Sequence, residues 1–165
     1  MQNEMMSRVN KIRTNEAYQR YLCQNEKAEK DRIFCHHDMG HFLDVARIAW
    51  ILNLEEDYQI QKELIYAVAL LHDIGRFRQY EDGTPHEQAS AKLAPQILEE
   101  CGFTKEETAL IVEAISQHRN SAIRQDKDLN GLLYRADKLS RACFSCKAEK
   151  DCNWKNDKKN QILTH

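Results

Sequence analysis

The sequence predicts an all-α fold, a compact single-domain bundle of five to seven helices, and three observations predict it. The composition, 42% hydrophobic and 30% charged with 5 glycines and 2 prolines in 165 residues, suits a helical protein and needs no sheet. Apolar residues recur three and four apart along most of the chain, the period of a helix with one face in a core. Thr84 with Glu87 and Thr104 with Glu107 stand ahead of such runs, as the two halves of a capping box do. The length is enough for one core of ordinary size and too short for two.

In chain order, Thr14 is placed to cap a helix whose apolar side carries Ala17, Tyr18, Tyr21 and Leu22. The stretch GHFLDVARIAWILNLEED sets His41, Val45, Ile48 and Leu52 on one stripe, so His41 shares the face that seeks the core. ELIYAVALLHD is apolar on nearly every side and reads as the central buried helix, with His72 and Asp73 at its end. After a glycine-containing loop, TPHEQASAKLAPQILEECG has Thr84 as N-cap, Pro85 at the first helical position and His86 in the first turn. Pro95 is expected to kink this helix and Gly102 to end it. The helix opened by Thr104 runs to His118, and after the polar segment RNSAIRQDKD the last helix sets Leu129, Leu132, Leu133 and Ala136 around Asp137. No repeat or low-complexity segment interrupts the series.

The 24 basic and 26 acidic side chains leave a formal charge of -2, which marks no surface for a polyanion. Nucleic acid is therefore not expected as a partner. MQNEMMSRVN has no apolar core of signal-peptide length, and no apolar run nears the roughly 18 to 20 residues that span a bilayer. The expectation is a cytoplasmic protein without a membrane partner, its six cysteines reduced. Nothing in the sequence addresses the oligomeric state.

A histidine beside an aspartate at the end of a core helix needs an explanation, because buried polar groups cost free energy unless satisfied. His41, His72, Asp73, His86, His118 and Asp137 all fall on or at the ends of core-facing helices, five in number. Imidazole and carboxylate together suit Mn, Fe, Co, Ni or Zn, and a bundle core lets facing helices converge them. Six ligands suffice for one or two divalent ions. Neighbouring residues at a helix end point about 100° apart, so His72 can hold one ion while Asp73 bridges to a second.

The order His41, then His72-Asp73, then Asp137 resembles the H…HD…D signature of the HD-domain metal-dependent phosphohydrolase superfamily. HFLDVARIA resembles the first-ligand helix, AVALLHDIGRF the double-ligand motif and YRADKLS the last-aspartate motif. His86 and His118 resemble the extra histidines of subgroups that hold two metals, among them small bacterial HD hydrolases of dinucleoside polyphosphates. Ala89 and Ser90 stand where those subgroups have a glycine-alanine step. The resemblance implies an N-terminal helical segment over 1–34, an HD domain over 35–142 and an extension over 143–165. It also implies hydrolysis of a phosphoester or phosphoanhydride, with a nucleotide or another small phosphorylated metabolite as substrate. In the mechanism that the resemblance implies, Asp73 would hold the ions and orient the attacking water, Arg76 would grip phosphate, and Lys138 or Arg135 would assist. His37, four residues before His41, is either a substrate contact or a surface histidine. The same ligand set also resembles that of mixed-valence diiron oxygenases, and a non-catalytic metal-stabilised regulatory module is a third reading.

The cysteines pose a separate question. Cys143, Cys146 and Cys152 form a C-x2-C-x5-C pattern, close to that of zinc or iron-sulfur ligands. Cys35 is the fourth candidate and Cys23 the second choice. The alternative is a set of reduced, unliganded thiols. Cys101 reads as a small buried hydrophobe, and the Met and Trp residues read as packing.

Overall fold

The computed structural model describes residues 6–165, so Met1–Met5 of the stretch read for a signal segment lie outside the described residues. Eight α-helices are present, one more than the upper expectation, and no strand occurs among the described residues. They are α1 Ser7–Thr14, α2 Glu16–Ala28, α3 Met39–Glu55, α4 Lys62–Leu71, α5 Arg76–Asp82, α6 His86–Glu100, α7 Lys105–Gln117 and α8 Leu129–Leu139.

Two helices stand where one was expected after Thr14. Asn15, not Thr14, is the cap: its side-chain oxygen accepts the Tyr18 N–H at 3.0 Å, while the Thr14 hydroxyl turns back to the Asn10 carbonyl at 3.1 Å. Asp38 caps α3 through the His41 N–H, and Asp128 caps α8 through the Gly131 N–H. The Thr104–Glu107 capping box forms as read, and Gly102, at φ +89°, closes the preceding helix.

The expected capping box at Thr84 does not form. Asp82 captures both the Thr84 N–H, at 3.0 Å, and its hydroxyl, at 2.6 Å, so α6 starts at His86 with Pro85 before it and runs on through Pro95. The loop expected after Asp73 contains α5. Its start is fixed from across the fold: the Asn25 side chain donates to the Asp73 carbonyl at 2.9 Å and accepts the Phe77 N–H at 2.8 Å.

Helices α3, α4, α7 and α8 pack together around the core, with α6 laid on α7, α1 on α4 and α2 on α5. Phe42, Ile65, Leu71, Ile111, Ile115, Leu132 and Leu133 are essentially inaccessible, each worth roughly 1.5–3 kcal/mol of transfer free energy. Cys101 is buried among them, as expected. Beyond α8 the chain makes only 3₁₀ turns, at Cys143–Ser145, Glu149–Asp151 and Asn156–Lys158. Ala148 is the one buried residue of that tail. No helix among the described residues is long and apolar enough to cross a membrane.

Candidate metal centre

Each candidate ligand sits at or near a helix end, and these ends meet on one side of the bundle. His41 is in the first turn of α3, His72 follows α4 and Asp73 comes next, His86 opens α6, His118 closes α7, and Asp137 is in the last turn of α8. All six are buried. Helix ends suit this purpose because carbonyls there have no partner within the helix. The Nδ1 of His72 lies 2.8 Å from the Ala69 carbonyl and that of His118 2.6 Å from the Ile115 carbonyl. His86 Nδ1 is 2.6 Å from Gln79 Oε1, and His41 Nδ1 is 3.3 Å from the Ser140 hydroxyl. Ser140 gives its own proton to the Asp137 carbonyl, so it accepts from His41. With Nδ1 of His41, His72 and His118 facing an acceptor, their Nε2 atoms present a lone pair inward, as in metal-bound histidine, while His86 Nδ1 stands between the Gln79 oxygen and the Arg76 guanidinium.

The inward atoms form two groups that share Asp73: His41, His72, Asp73 and Asp137 in one, Asp73, His86 and His118 in the other. Asp73 Oδ2 is 3.2 Å from His72 Nε2 and 3.9 Å from His41 Nε2, whereas Oδ1 is 3.2 Å from His86 Nε2 and 3.4 Å from His118 Nε2. Asp137 Oδ1 completes the first group, 3.4 Å from His41 and 3.6 Å from His72, and its Oδ2 receives Lys138 Nζ at 2.6 Å. His72 Nε2 and Asp73 Oδ1 are buried yet have no hydrogen-bond partner. Such atoms are costly unless another group satisfies them, and divalent transition-metal ions fit a set of imidazole nitrogens and carboxylate oxygens that face one another without hydrogen-bonding.

The electrostatics agree. Burial works against ionisation of Asp73, but His72, His37 and His118 outweigh it and hold its carboxyl well below the usual range. Asp137 is held low in the same way, chiefly by Lys138 and His41. Burial also works against a charge on His72, yet Asp73 and Asp137 raise its pKa to about 10. Burial dominates at His41 and His86 and lowers them to about 4 and about 3. Two buried carboxylates thus call for positive charge, which a proton on His72 supplies in part and a metal cation supplies in full.

The family model for the HD domain matches residues 38–142. The chain belongs to the HD-domain family. HD domains are for the most part metal-dependent phosphohydrolases, and their divalent ions are held by clustered histidines and aspartates of this kind. A protein of Clostridium beijerinckii, described only as uncharacterized, is 48% identical over 155 residues, covering 94% of this chain and 97% of its own. Ribonuclease Y 1 of Pediococcus pentosaceus is 32% identical over 89 residues, which are 53% of this chain but 15% of the ribonuclease. No solved structure matches significantly.

Around the HD centre the structure adds residues that the sequence reading passed over. His37 is buried, not a surface histidine: its Nε2 is 3.7 Å from Asp73 Oδ2 and its Nδ1 is 2.6 Å from Glu29 Oε1. Glu29, just after α2, is buried and also accepts the His37 N–H and the Tyr80 hydroxyl. Burial pushes Glu29 up, but the His37 contacts prevail and bring it to about 2. Arg141 Nη2 lies 3.2 Å from His41 Nε2. The Glu29 signal was in principle readable, as a carboxylate at a helix end eight residues before His37; Arg141 carried none.

Arg76 lies against His86, with Nη1 2.6 Å from its Nδ1 and Nε 3.8 Å from Glu29. Lys138 is bound to Asp137, and Arg135 faces away, donating to the carbonyls of Arg124 and Asp126. In place of the glycine-alanine step, Ser90 accepts the Gly75 N–H at 2.9 Å, and His86 still reaches Asp73. Cys35, Cys143, Cys146 and Cys152 belong to neither ligand group, but all four line the cavity of about 1100 Å³ into which the centre opens. Cys23 is exposed. Trp154, read as packing, lines that cavity too.

Proposed function

We propose that the protein is a metal-dependent phosphohydrolase that cleaves a phosphoester or phosphoanhydride of a nucleotide or another small phosphorylated metabolite. The observation that carries this reading is Asp73: one buried carboxylate divided between two groups of donors, at the floor of a cavity open to solvent. His41, His72, Asp73 and Asp137 would hold one divalent ion, and Asp73, His86 and His118 a second. Such ions polarise a phosphate oxygen and bring the pKa of a water down toward neutrality.

The chain supplies the rest. Arg76, Arg119, Lys138 and Arg141 line the cavity and offset the negative charge of a phosphorylated substrate. Phe34, Tyr134 and Trp154 line it as well, giving aromatic faces on which a nucleobase can stack. His37 turns Nε2 toward Asp73, its other nitrogen occupied by Glu29, in position to exchange a proton with water or with a leaving oxygen. The likeness to a protein named as a ribonuclease supports phosphoester chemistry at this centre. The cavity is large by the standard of small-molecule sites, which favours a substrate bigger than a simple monoester.

The test is a panel of nucleoside mono- and diphosphates, dinucleoside polyphosphates, phosphomonoesters and short RNA, offered under argon to protein reloaded with Mn, Fe, Co, Ni or Zn. Release of phosphate or nucleotide from a small substrate is the expected result. Turnover that requires oxygen, cleavage of RNA alone, or no turnover by metal-loaded protein would overturn the reading.

A further inference from the structure

The basic side chains that line the cavity differ in what already holds them. Lys138 Nζ is bound to Asp137 at 2.6 Å, Lys159 Nζ to Glu149 at 2.8 Å and Arg119 Nη1 faces Glu87 at 3.6 Å. Arg76 lies between His86 and Glu29. Arg141 is held otherwise. Its side-chain partners among the described residues are the His36 carbonyl, 3.1 Å from Nη1, and His41 Nε2, 3.2 Å from Nη2. Neither is an acid, and a guanidinium is always charged and carries donors only.

The surroundings aim this side chain. Asn160 Nδ2 donates to the Arg141 carbonyl at 2.8 Å and to that of Lys138 at 2.7 Å, which ties the tail to the turn after α8. The bond from Nη1 to the His36 carbonyl fixes the guanidinium against the segment that leads into α3. Nη2 is then the end that points at the HD centre.

The partner that Nη2 has there is one that a metal ion also claims. His41 gives its Nδ1–H to Ser140, so Nε2 carries a single lone pair. That pair serves either an N–H donor or a metal ion. With His41 as a ligand, Nη2 is a charged donor beside the centre that needs another acceptor. The two carboxylates of the centre are committed: Asp73 is divided between the donor groups, and Asp137 turns one oxygen to His41 and His72 and the other to Lys138. A phosphoryl group entering the cavity brings oxygens of the right charge, and guanidinium is the side chain best matched to them.

We propose that Arg141 binds a phosphoryl oxygen of the substrate beside His41, with Nη2 donating to that oxygen while Nη1 stays on the His36 carbonyl. The inference rests on the phosphohydrolase reading above. It assigns the grip on phosphate at the group of His41, His72, Asp73 and Asp137 to Arg141 and not to Lys138, whose ammonium belongs to Asp137.

The test is binding, read by calorimetric titration of inorganic phosphate into full-length protein reloaded with metal, with metal content measured on the same samples. Arg141→Met should bind phosphate about 10- to 100-fold more weakly, the loss of one charged hydrogen bond, while holding as much metal as the native chain. Arg141→Lys keeps the charge but lacks the fork, so it should recover only part of the affinity, and it carries the comparison should Arg141→Met fail to fold. Equal affinity in the native protein and the variants overturns the proposal, as does a native protein that binds no phosphate. A fall in metal content that matches the fall in phosphate binding overturns it too, because Arg141 would then support the ligands and not the substrate. Failure of phosphate-binding, metal-loaded protein to turn over any substrate of the panel would count against the phosphohydrolase reading instead, since the titration does not depend on hydrolysis.

Discussion

Replacing His118 by alanine separates the two donor groups. Its Nε2 stands 3.4 Å from Asp73 Oδ1 and belongs to the group of Asp73, His86 and His118 alone. The substitution leaves that group one imidazole and one carboxylate oxygen, fewer than the three protein ligands usual for a catalytic transition-metal site. The group of His41, His72, Asp73 and Asp137 keeps all four donors. Metal content should fall from about two ions per chain to about one. The fold should survive at a modest cost. His118 is buried and its Nδ1–H donates to the Ile115 carbonyl at 2.6 Å, so alanine leaves a small cavity and that carbonyl only the longer bond from the residue 118 N–H, about 1–3 kcal/mol. For a chain of this size that corresponds to roughly 3–10 °C in Tm. The assay is elemental analysis after gel filtration, with melting curves recorded in chelator so that lost metal does not add to the shift. One ion per chain in both proteins would refute the second group as a metal site. Two in both would remove His118 from the ligands.

Glu29→Gln deprives His37 of its charged partner, so phosphate release should drop about 100-fold, at the low end of what general acid–base catalysis contributes, with unchanged far-UV circular dichroism; full activity would show that the Glu29–His37 pair does not matter to the site. Gly75→Ala places a Cβ 2.6 Å from the Ser90 backbone nitrogen and 2.8 Å from the Ala89 carbonyl carbon. Backbone cannot swing aside, so urea denaturation should show a loss of about 1–3 kcal/mol, and an unchanged midpoint would contradict the close approach of α5 to α6. Arg8 Nη1 meets Glu107 at 2.7 Å and its Nε meets Glu63 at 2.6 Å. Burial raises the Glu107 carboxyl, but Arg8 outweighs it and leaves the folded pKa below the ordinary value. The contribution is therefore complete above an unfolded carboxyl pKa of about 4.3 and is lost as pH falls through the folded one. Arg8→Met should be less stable by under about 1 kcal/mol at neutral pH, with the gap closing as pH falls through the lowered carboxyl pKa; a constant gap would assign the effect to packing on Phe103, over whose ring the Arg8 guanidinium lies at 4.3 Å.

The helices and the chemical types at the centre were legible from order alone. Helical periodicity and capping act between residues three or four apart, so the apolar stripe of α3, the Thr104–Glu107 box and the glycine stop at Gly102 could be read without a fold. The six candidate ligands stood out because a histidine or aspartate on a core-facing stripe carries a desolvation cost that asks for a partner. What followed from tertiary contacts was different in kind. Asn25 starts α5 from 48 positions before Asp73, and Asp82 takes the Thr84 cap that the local pattern assigned to α6. The division of Asp73 between two groups, the burial of His37 on Glu29 and the approach of Arg141 to His41 depend on where helix ends meet. The reach of each force accounts for the division: backbone hydrogen bonding and apolar spacing are written over a few residues, whereas the direction of a carboxylate oxygen or an imidazole nitrogen is set by atoms that only the packed chain brings within 4 Å.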